Sequence, residues 1–220
     1  MEKGKTDTSL LDKKTREIIL ASRSPRRRDI MQSLGLSFTV DVTDADETVP
    51  PGTPPDETVL ILARRKAEAA AVKHPGTVVI GADTIVYLPG EGNDDGVILG
   101  KPADDNSAHK MLKALSGRTH IVYTGVAVAV ADYDIGAGAN GTIRTECECI
   151  KTEVKMKNLT DEEIDRYIKT GEPADKAGAY GVQERGGAFV EAVYGDYFAV
   201  VGLPKAALCR LLSHFGVDVI

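Results

Sequence analysis

Strand-like and helix-like segments alternate along the first half of the chain, and this alternation limits the fold more than any other feature of the sequence. Strands are expected at 17–21, 37–42, 77–88 and 97–99, with helices at 25–34, 56–73 and 104–115. The second half is predicted to contain strands at 120–132, 142–156, 187–193 and 196–202 and helices at 161–169 and 204–214. Alternation interrupted by a hairpin-rich middle predicts an α/β or α+β fold on a mixed β-sheet.

Length and composition place the chain among ordinary globular proteins. Its 220 residues allow one sizeable core or two small lobes that share a cleft. The net charge of −6 argues against nucleic acid or an anionic membrane as a partner. We expect residues 1–15 to form a loosely ordered tail and residues 16–220 to form a single domain.

Cysteine usage and the lack of long apolar runs indicate the compartment. Three cysteines without a paired spacing argue against a disulfide framework and favour a reducing environment. No apolar run approaches the roughly 20 residues of a membrane span, and the N-terminal segment lacks an apolar signal core. The sequence therefore predicts a cytoplasmic protein.

A cluster of arginines lies at an unfavourable end of a predicted helix. In "IILASRSPRRRDIMQSLG", Ser24 is placed as the N-cap and Pro25 as the first helical residue. Residues 26–28 then put three cations at the positive end of the helix dipole, so removing Arg26 or Arg27 should slightly stabilise the ligand-free protein. Either these charges reach water, or they converge with the hydroxyls of Ser22 and Ser24 on an anion. A triphosphate suits guanidinium groups better than a carboxylate does.

Two further charged residues stand out against apolar surroundings. Lys66 falls near the centre of the apolar stripe of its predicted helix, so it either reaches a rim or points into a cleft. Asp83 lies within "TVVIGADTIVYL", where a charge is costly unless it is paired or binds a metal. A turn-capping role for Asp83 is the alternative to a catalytic or metal-binding role. With Glu47 nearby in "DADETVP", two carboxylates beside phosphates would form the usual magnesium arrangement.

An ordered set of motifs resembles a known family. The segments are "ASRSPRRRDIMQSLG", "ADET", "LARRKA", "GADTIV", "GKP", "LSGRTHIVYTGVAV", "DKAGAYGVQ" and "VVGLP". Over about residues 16–215 the chain closely resembles the Maf (septum-formation-inhibitor-like) nucleotide pyrophosphatases. The resemblance implies two α/β lobes around an elongated mixed sheet, as in inosine triphosphatases, with the active site in the cleft between them. It also implies hydrolysis of a nucleoside triphosphate between the α and β phosphates, with Mg or Mn as the divalent cation.

The resemblance also implies residue roles. Asp83 corresponds to the proton acceptor, and from the chemistry of the two carboxylates we expect Asp83 and Glu47 to hold the metal. The phosphate-binding motif corresponds to Ser22, Ser24, Arg26 and Arg27. The remaining catalytic positions correspond to Glu47, Lys66 and Lys101.

Three positions separate the subgroups of this family. The dTTP/UTP group carries the residues found here as Arg26, Thr84 and Gln183, whereas the 7-methyl-GTP group typically carries Trp, Gln and Glu. The chain therefore resembles the dTTP/UTP group, and Thr84 and Gln183 would hydrogen-bond the edge of a pyrimidine, including modified pyrimidines. A 7-methyl-GTP pyrophosphatase and a non-catalytic regulator of cell division are the alternatives. A homodimer is left open, and the loops 89–96 and 131–142 look longer than in compact members.

Overall fold

The computed structural model describes residues 16–90, 92, 95–132 and 141–220. The predicted tail at 1–15, three residues of the loop 89–96 and residues 133–140 lie outside this part of the chain. The first half contains β1 (Ile18–Leu20), α1 (Pro25–Ser33), β2 (Thr39–Val40), α2 (Pro55–Lys73), β3 (Val78–Leu88), β4 (Val97–Leu99) and α3 (Asp105–Leu115). The second half contains β5 (Thr119–Asp132), β6 (Thr142–Met156), α4 (Asp161–Ile168), β7 (Val190–Tyr194), α5 (Tyr197–Val201) and α6 (Lys205–His214).

The described strands form one seven-stranded mixed sheet. Its order is β2-β1-β3-β5-β6-β7, and β4 pairs with β3 beside this path. Strand β1 runs parallel to β2 and to β3, whereas the pairs β3–β4, β3–β5, β5–β6 and β6–β7 are antiparallel. The predicted mixed α/β architecture is therefore confirmed.

The sheet has helices on both faces. Helix α2 covers one face, where its alanines pack on alternate residues of β1, β3 and β5. The opposite face carries two apolar clusters, one with α1 and α6 and one with α3 and α4. These two clusters correspond to the two predicted lobes.

Strand β3 has an open edge in the middle of the sheet. Strand β1 pairs with β3 as far as Ile80, and β4 begins to pair at Val86. Within the described residues, positions 81–85 of β3 have no strand beside them on this side. Side chains from both faces of β3 can reach the same opening there, because successive residues of a strand alternate between faces.

Two glycines allow α2 to lie close to the sheet. A Cβ at Gly81 would overlap the carbonyl oxygen of Ala63, and one at Gly125 would overlap that of Val59. Gly125 pairs with Asp83 across β3 and β5. The close approach brings the Lys66 side of α2 next to Asp83.

The predicted strand at 196–202 is wrong, because this segment forms helix α5. The side chain of Asp196 caps the helix, its Oδ1 accepting hydrogen bonds from the backbone N–H groups of Phe198 (2.7 Å) and Ala199 (3.2 Å). The sequence YFAVV has the aromatic and β-branched composition of a strand, but the cap and the surrounding contacts override that preference. The segment predicted as a strand at 187–193 begins as a 3₁₀ turn and becomes extended only at Val190.

None of the helices in the described part of the chain is long and apolar enough to cross a membrane.

Candidate active site

A cleft of about 750 Å³ opens at the exposed edge of β3. This volume is in the range of sites that bind small molecules. All ten residues that the sequence singled out line this one cleft: Ser22, Ser24, Arg26, Arg27, Glu47, Lys66, Asp83, Thr84, Lys101 and Gln183. The structure thus brings together side chains from segments that are far apart in the sequence.

The cleft differs in charge from the rest of the molecule. Six cationic side chains line it, namely those of Arg23, Arg26, Arg27, Lys66, Lys101 and Lys176. Four carboxylates line it as well, those of Asp44, Glu47, Asp83 and Asp175. Cations therefore outnumber anions in the cleft of a chain whose net charge is −6, which favours a strongly anionic ligand.

Lys66 joins two carboxylates at the centre of the cleft. Its Nζ lies 2.6 Å from Oδ1 of Asp83 and 2.8 Å from Oε1 of Glu47. The side chains of Lys66 and Asp83 are only 17% and 15% exposed. The hydrogen bond from Lys66 lowers the pKa of Glu47, and the positive charges of Lys66 and Lys101 act in the same direction. Of the two alternatives for Lys66, the structure shows the one that points into the cleft.

The same two carboxylates fit a divalent cation. Both reach a single ammonium group, so both lie close to one point, and carboxylate oxygen is the ligand that Mg²⁺ and Mn²⁺ prefer. The described residues contain no group of three or more histidine, cysteine, aspartate or glutamate side chains that could hold a metal ion. A cation here would therefore take its remaining ligands from water and from substrate phosphates, as Mg²⁺ commonly does.

The side chain of Arg27 points into the protein, where its guanidinium group donates four hydrogen bonds. Its Nη1 donates to Oγ of Ser22 and to the carbonyl oxygen of Ala82, each at 2.9 Å. Its Nη2 donates to Oγ1 of Thr84 at 3.2 Å, and its Nε donates to the carbonyl oxygen of Gly202 at 2.8 Å. Arg27 therefore hydrogen-bonds Ala82 and Thr84, the residues on both sides of Asp83. Its side chain lies at the open edge of β3, where a neighbouring strand would otherwise pair.

The neighbouring arginines have different environments. Arg26 lies near two acidic side chains, with Nη1 3.3 Å from Oδ2 of Asp175 and 3.9 Å from Oε1 of Glu184. Arg28 is exposed on α1. The side chain of Ser24 caps the helix as predicted, with its oxygen accepting from the backbone N–H of Arg27. Within the cluster, Arg27 thus points inward, Arg26 reaches acidic side chains across the cleft, and Arg28 faces water.

Sequence reasoning missed the acidic and basic residues around Arg26. Lys176 is only 6% exposed, and its Nζ contacts Oδ1 of Asp175 at 2.8 Å and Oε1 of Glu184 at 3.3 Å. Gln183 lies next to Glu184 and is exposed in the cleft. The charges within and just after "DKAGAYGVQ" were the available signal, because a lysine beside apolar residues needs a partner.

The cleft has an apolar end, formed by side chains that belong to the cluster around α3 and α4 or pack against it. Its lining includes Val86, Val122, Ala177, Tyr180, Val182 and Val200. The segment that carries Gln183 is fixed on this side by a hydrogen bond from the backbone N–H of Gly178 to the carbonyl oxygen of Gly100 (3.0 Å). Gly100 directly precedes Lys101, so one contact ties the apolar end to a cationic residue of the cleft.

Comparison with known proteins identifies the family. The sequence model of the family described as "Maf-like protein" matches residues 17–215. The chain belongs to the Maf-like family. A curated relative from Pelotomaculum thermopropionicum, named dTTP/UTP pyrophosphatase, is 47% identical over 205 residues, covering 93% of this chain and 100% of the relative. A protein of the same name from Bacillus cereus is 43% identical over 204 residues, covering 93% of this chain and 98% of the relative.

Two solved structures that resemble this Maf-like chain are more distant from it in sequence. The Ham1 protein of Staphylococcus aureus superposes with a TM-score of 0.40 at 16% identity, covering 91% of this chain and 97% of that one. A HAM1 protein from Coxiella burnetii gives a TM-score of 0.34 at 19% identity, covering 64% and 73%. At these scores the overlap supports no conclusion about how this chain works.

Proposed function

We propose that this chain hydrolyses dTTP and UTP, together with modified pyrimidine nucleoside triphosphates, to the monophosphate and pyrophosphate. The observation that carries the proposal is the composition of the cleft, where Asp83 and a surplus of cations meet at the open edge of β3. The relatives named dTTP/UTP pyrophosphatase support the choice of substrate.

The phosphates would lie at the charged end of the cleft. Ser24 and Pro25 line it at the N-terminus of α1, where backbone N–H groups lack intrahelical partners and attract anions. Arg26 and Lys101 also line the cleft and supply positive charges. A bound triphosphate would offset the unfavourable free energy that Arg26 contributes at the positive end of the α1 dipole.

Asp83 would act as the general base. Its carboxylate takes a proton from a water molecule, the water oxygen forms a bond to the α phosphorus, and the bond from that phosphorus to the bridging oxygen breaks. Pyrophosphate leaves with that oxygen, and the cationic side chains stabilise its added charge. Lys66, at 2.6 Å, orients the carboxylate and would neutralise part of the charge on the phosphates.

Asp83 and Glu47 would hold the divalent cation. When bound, Mg²⁺ or Mn²⁺ neutralises phosphate charge and fixes the orientation of the phosphates.

We place the activity in the cytoplasm, in keeping with three cysteines that are all free thiols.

The pyrimidine would occupy the apolar end of the cleft, with Gln183 at its edge. The Gln183 amide can donate a hydrogen bond to a carbonyl oxygen of uracil or thymine, next to the N3–H on the same edge of the base. A purine would need more room beside Gly181 and Val182. In a closed site, a wrong base would leave polar groups without hydrogen-bond partners, and this free-energy cost strongly disfavours its binding.

A panel of nucleoside triphosphates tests this function. With Mg²⁺ present, we expect dTTP, UTP and 5-methyl-UTP to give the highest kcat/KM values. Gln183→Glu should lower kcat/KM for UTP by at least about tenfold, because an ionised carboxylate only accepts hydrogen bonds. Gln32→Glu, an exposed change on α1, is the matched control and should retain wild-type rates. Faster hydrolysis of 7-methyl-GTP than of UTP would refute the pyrimidine assignment, and binding without turnover of any nucleotide would indicate a regulator.

A further inference from the structure

A chain of hydrogen bonds leads from the cleft into the core through two threonine hydroxyls. Arg27 Nη2 donates to Oγ1 of Thr84 at 3.2 Å, and this oxygen lies 3.0 Å from Oγ1 of Thr124. Oγ1 of Thr124 lies 2.8 Å from the carbonyl oxygen of Ala199 on α5. These hydrogen bonds thus link α1, β3, β5 and α5 behind the cleft.

The groups at the two ends of this series of hydrogen bonds, the Arg27 guanidinium and the Ala199 carbonyl, determine which hydroxyl donates to which. A guanidinium group only donates and a carbonyl oxygen only accepts, while each hydroxyl has one hydrogen and two lone pairs. Thr124 is 0% exposed, so its partners must come from the protein. If Thr124 gives its hydrogen to Ala199, then Thr84 must give its own hydrogen to Thr124, and all three contacts are satisfied. The opposite direction would leave the Ala199 carbonyl without this donor.

This direction determines what Thr84 can offer to a ligand. Its hydrogen is used by Thr124 and one lone pair is used by Arg27, so one lone pair remains. Thr84 also lines the cleft. A group that meets Thr84 in the cleft must therefore be a hydrogen-bond donor.

We infer that Thr124 is a specificity-determining positioning residue, because it makes Thr84 an acceptor and so favours a base that presents a donor there. The inference rests on the proposed function. Uracil and thymine carry a hydrogen on N3, whereas cytosine has a bare, accepting N3 at the same place. Thr124 is buried and would not contact the base, yet it determines that Thr84 accepts a hydrogen bond from the base rather than donating one.

The variant Thr124→Val keeps the shape of the side chain and removes its hydroxyl. The hydrogen of Thr84 is then released and can meet an acceptor in the cleft. We expect the ratio of kcat/KM for UTP to that for CTP to fall by about tenfold or more, with part of the change from faster CTP hydrolysis. Thr124→Ser restores the hydroxyl and should restore the ratio. Equal losses on UTP and CTP, or a serine variant that behaves like the valine variant, would overturn the inference.

Binding measurements keep the inference separate from the proposed function. Calorimetry should show that the wild type prefers UMP to CMP and that Thr124→Val loses this preference. An unchanged preference in a folded Thr124→Val protein would overturn the role of Thr124 even if UTP is hydrolysed. A wild type that binds UMP well but does not cleave UTP would refute only the proposed function.

An altered ligand tests the same point without any mutation. 3-Methyl-UMP lacks the N3 hydrogen and should bind the wild type at least about tenfold more weakly than UMP, whereas 5-methyl-UMP should bind like UMP. Equal affinities for UMP and 3-methyl-UMP would overturn the inference.

Discussion

Replacing Asp83 with asparagine should lower kcat for UTP by about a thousandfold or more while nucleotide binding remains measurable. The amide has nearly the same size and can still accept the hydrogen bond from Lys66, but it cannot take a proton from water. Steady-state kinetics with UTP and calorimetry with UMP measure the two effects separately.

The control for this variant is Asp29→Asn. Asp29 is exposed on α1 and does not line the cleft. Its replacement makes the same chemical change away from the site and should leave kcat unchanged. Near-normal turnover of the Asp83→Asn protein would remove Asp83 from the mechanism.

Arg27→Ala should destabilise the ligand-free protein by about 3 kcal/mol. The helix dipole alone predicts a small gain in stability for this change, and the structure reverses that expectation. The guanidinium group hydrogen-bonds Ser22, Thr84 and two backbone carbonyl groups, which would lose their donor. Thermal unfolding measures the effect, and turnover should fall as well, because both neighbours of Asp83 lose their support.

Arg28→Ala is the matched control, one residue along the same helical turn. Arg28 is exposed, so its removal should change stability by no more than about 0.5 kcal/mol. Equal stabilities for the two variants would show that the dipole term dominates and that the contacts of Arg27 contribute little.

Local features of the fold were predictable because their causes lie within a few residues. Ser24 caps α1 at its predicted start, and α4 begins at Asp161 as predicted, where Thr160 and Glu163 form a capping box. The long strand around Asp83 also follows directly from its apolar neighbours. Each of these features depends on local hydrogen bonds or on the side chains of one segment.

Other features depend on contacts that no local pattern encodes. Arg27 reaches Ala82, 55 residues away, and Gly202, 175 residues away, so its inward orientation was not predictable from its own helix. The open edge of β3 exists because β1 and β4 pair with different parts of the same strand. Thr124 was not selected because a threonine within a strand-like run is ordinary, and only the positions of Thr84 and Ala199 give its hydroxyl a direction.

The identity of the products tests the central claim most directly. UTP incubated with the wild-type protein and Mg²⁺ can be followed by ³¹P NMR, which separates pyrophosphate from orthophosphate. The account predicts UMP and pyrophosphate in equal amounts from the start of the reaction. UDP with orthophosphate, or UTP that remains intact, would contradict it.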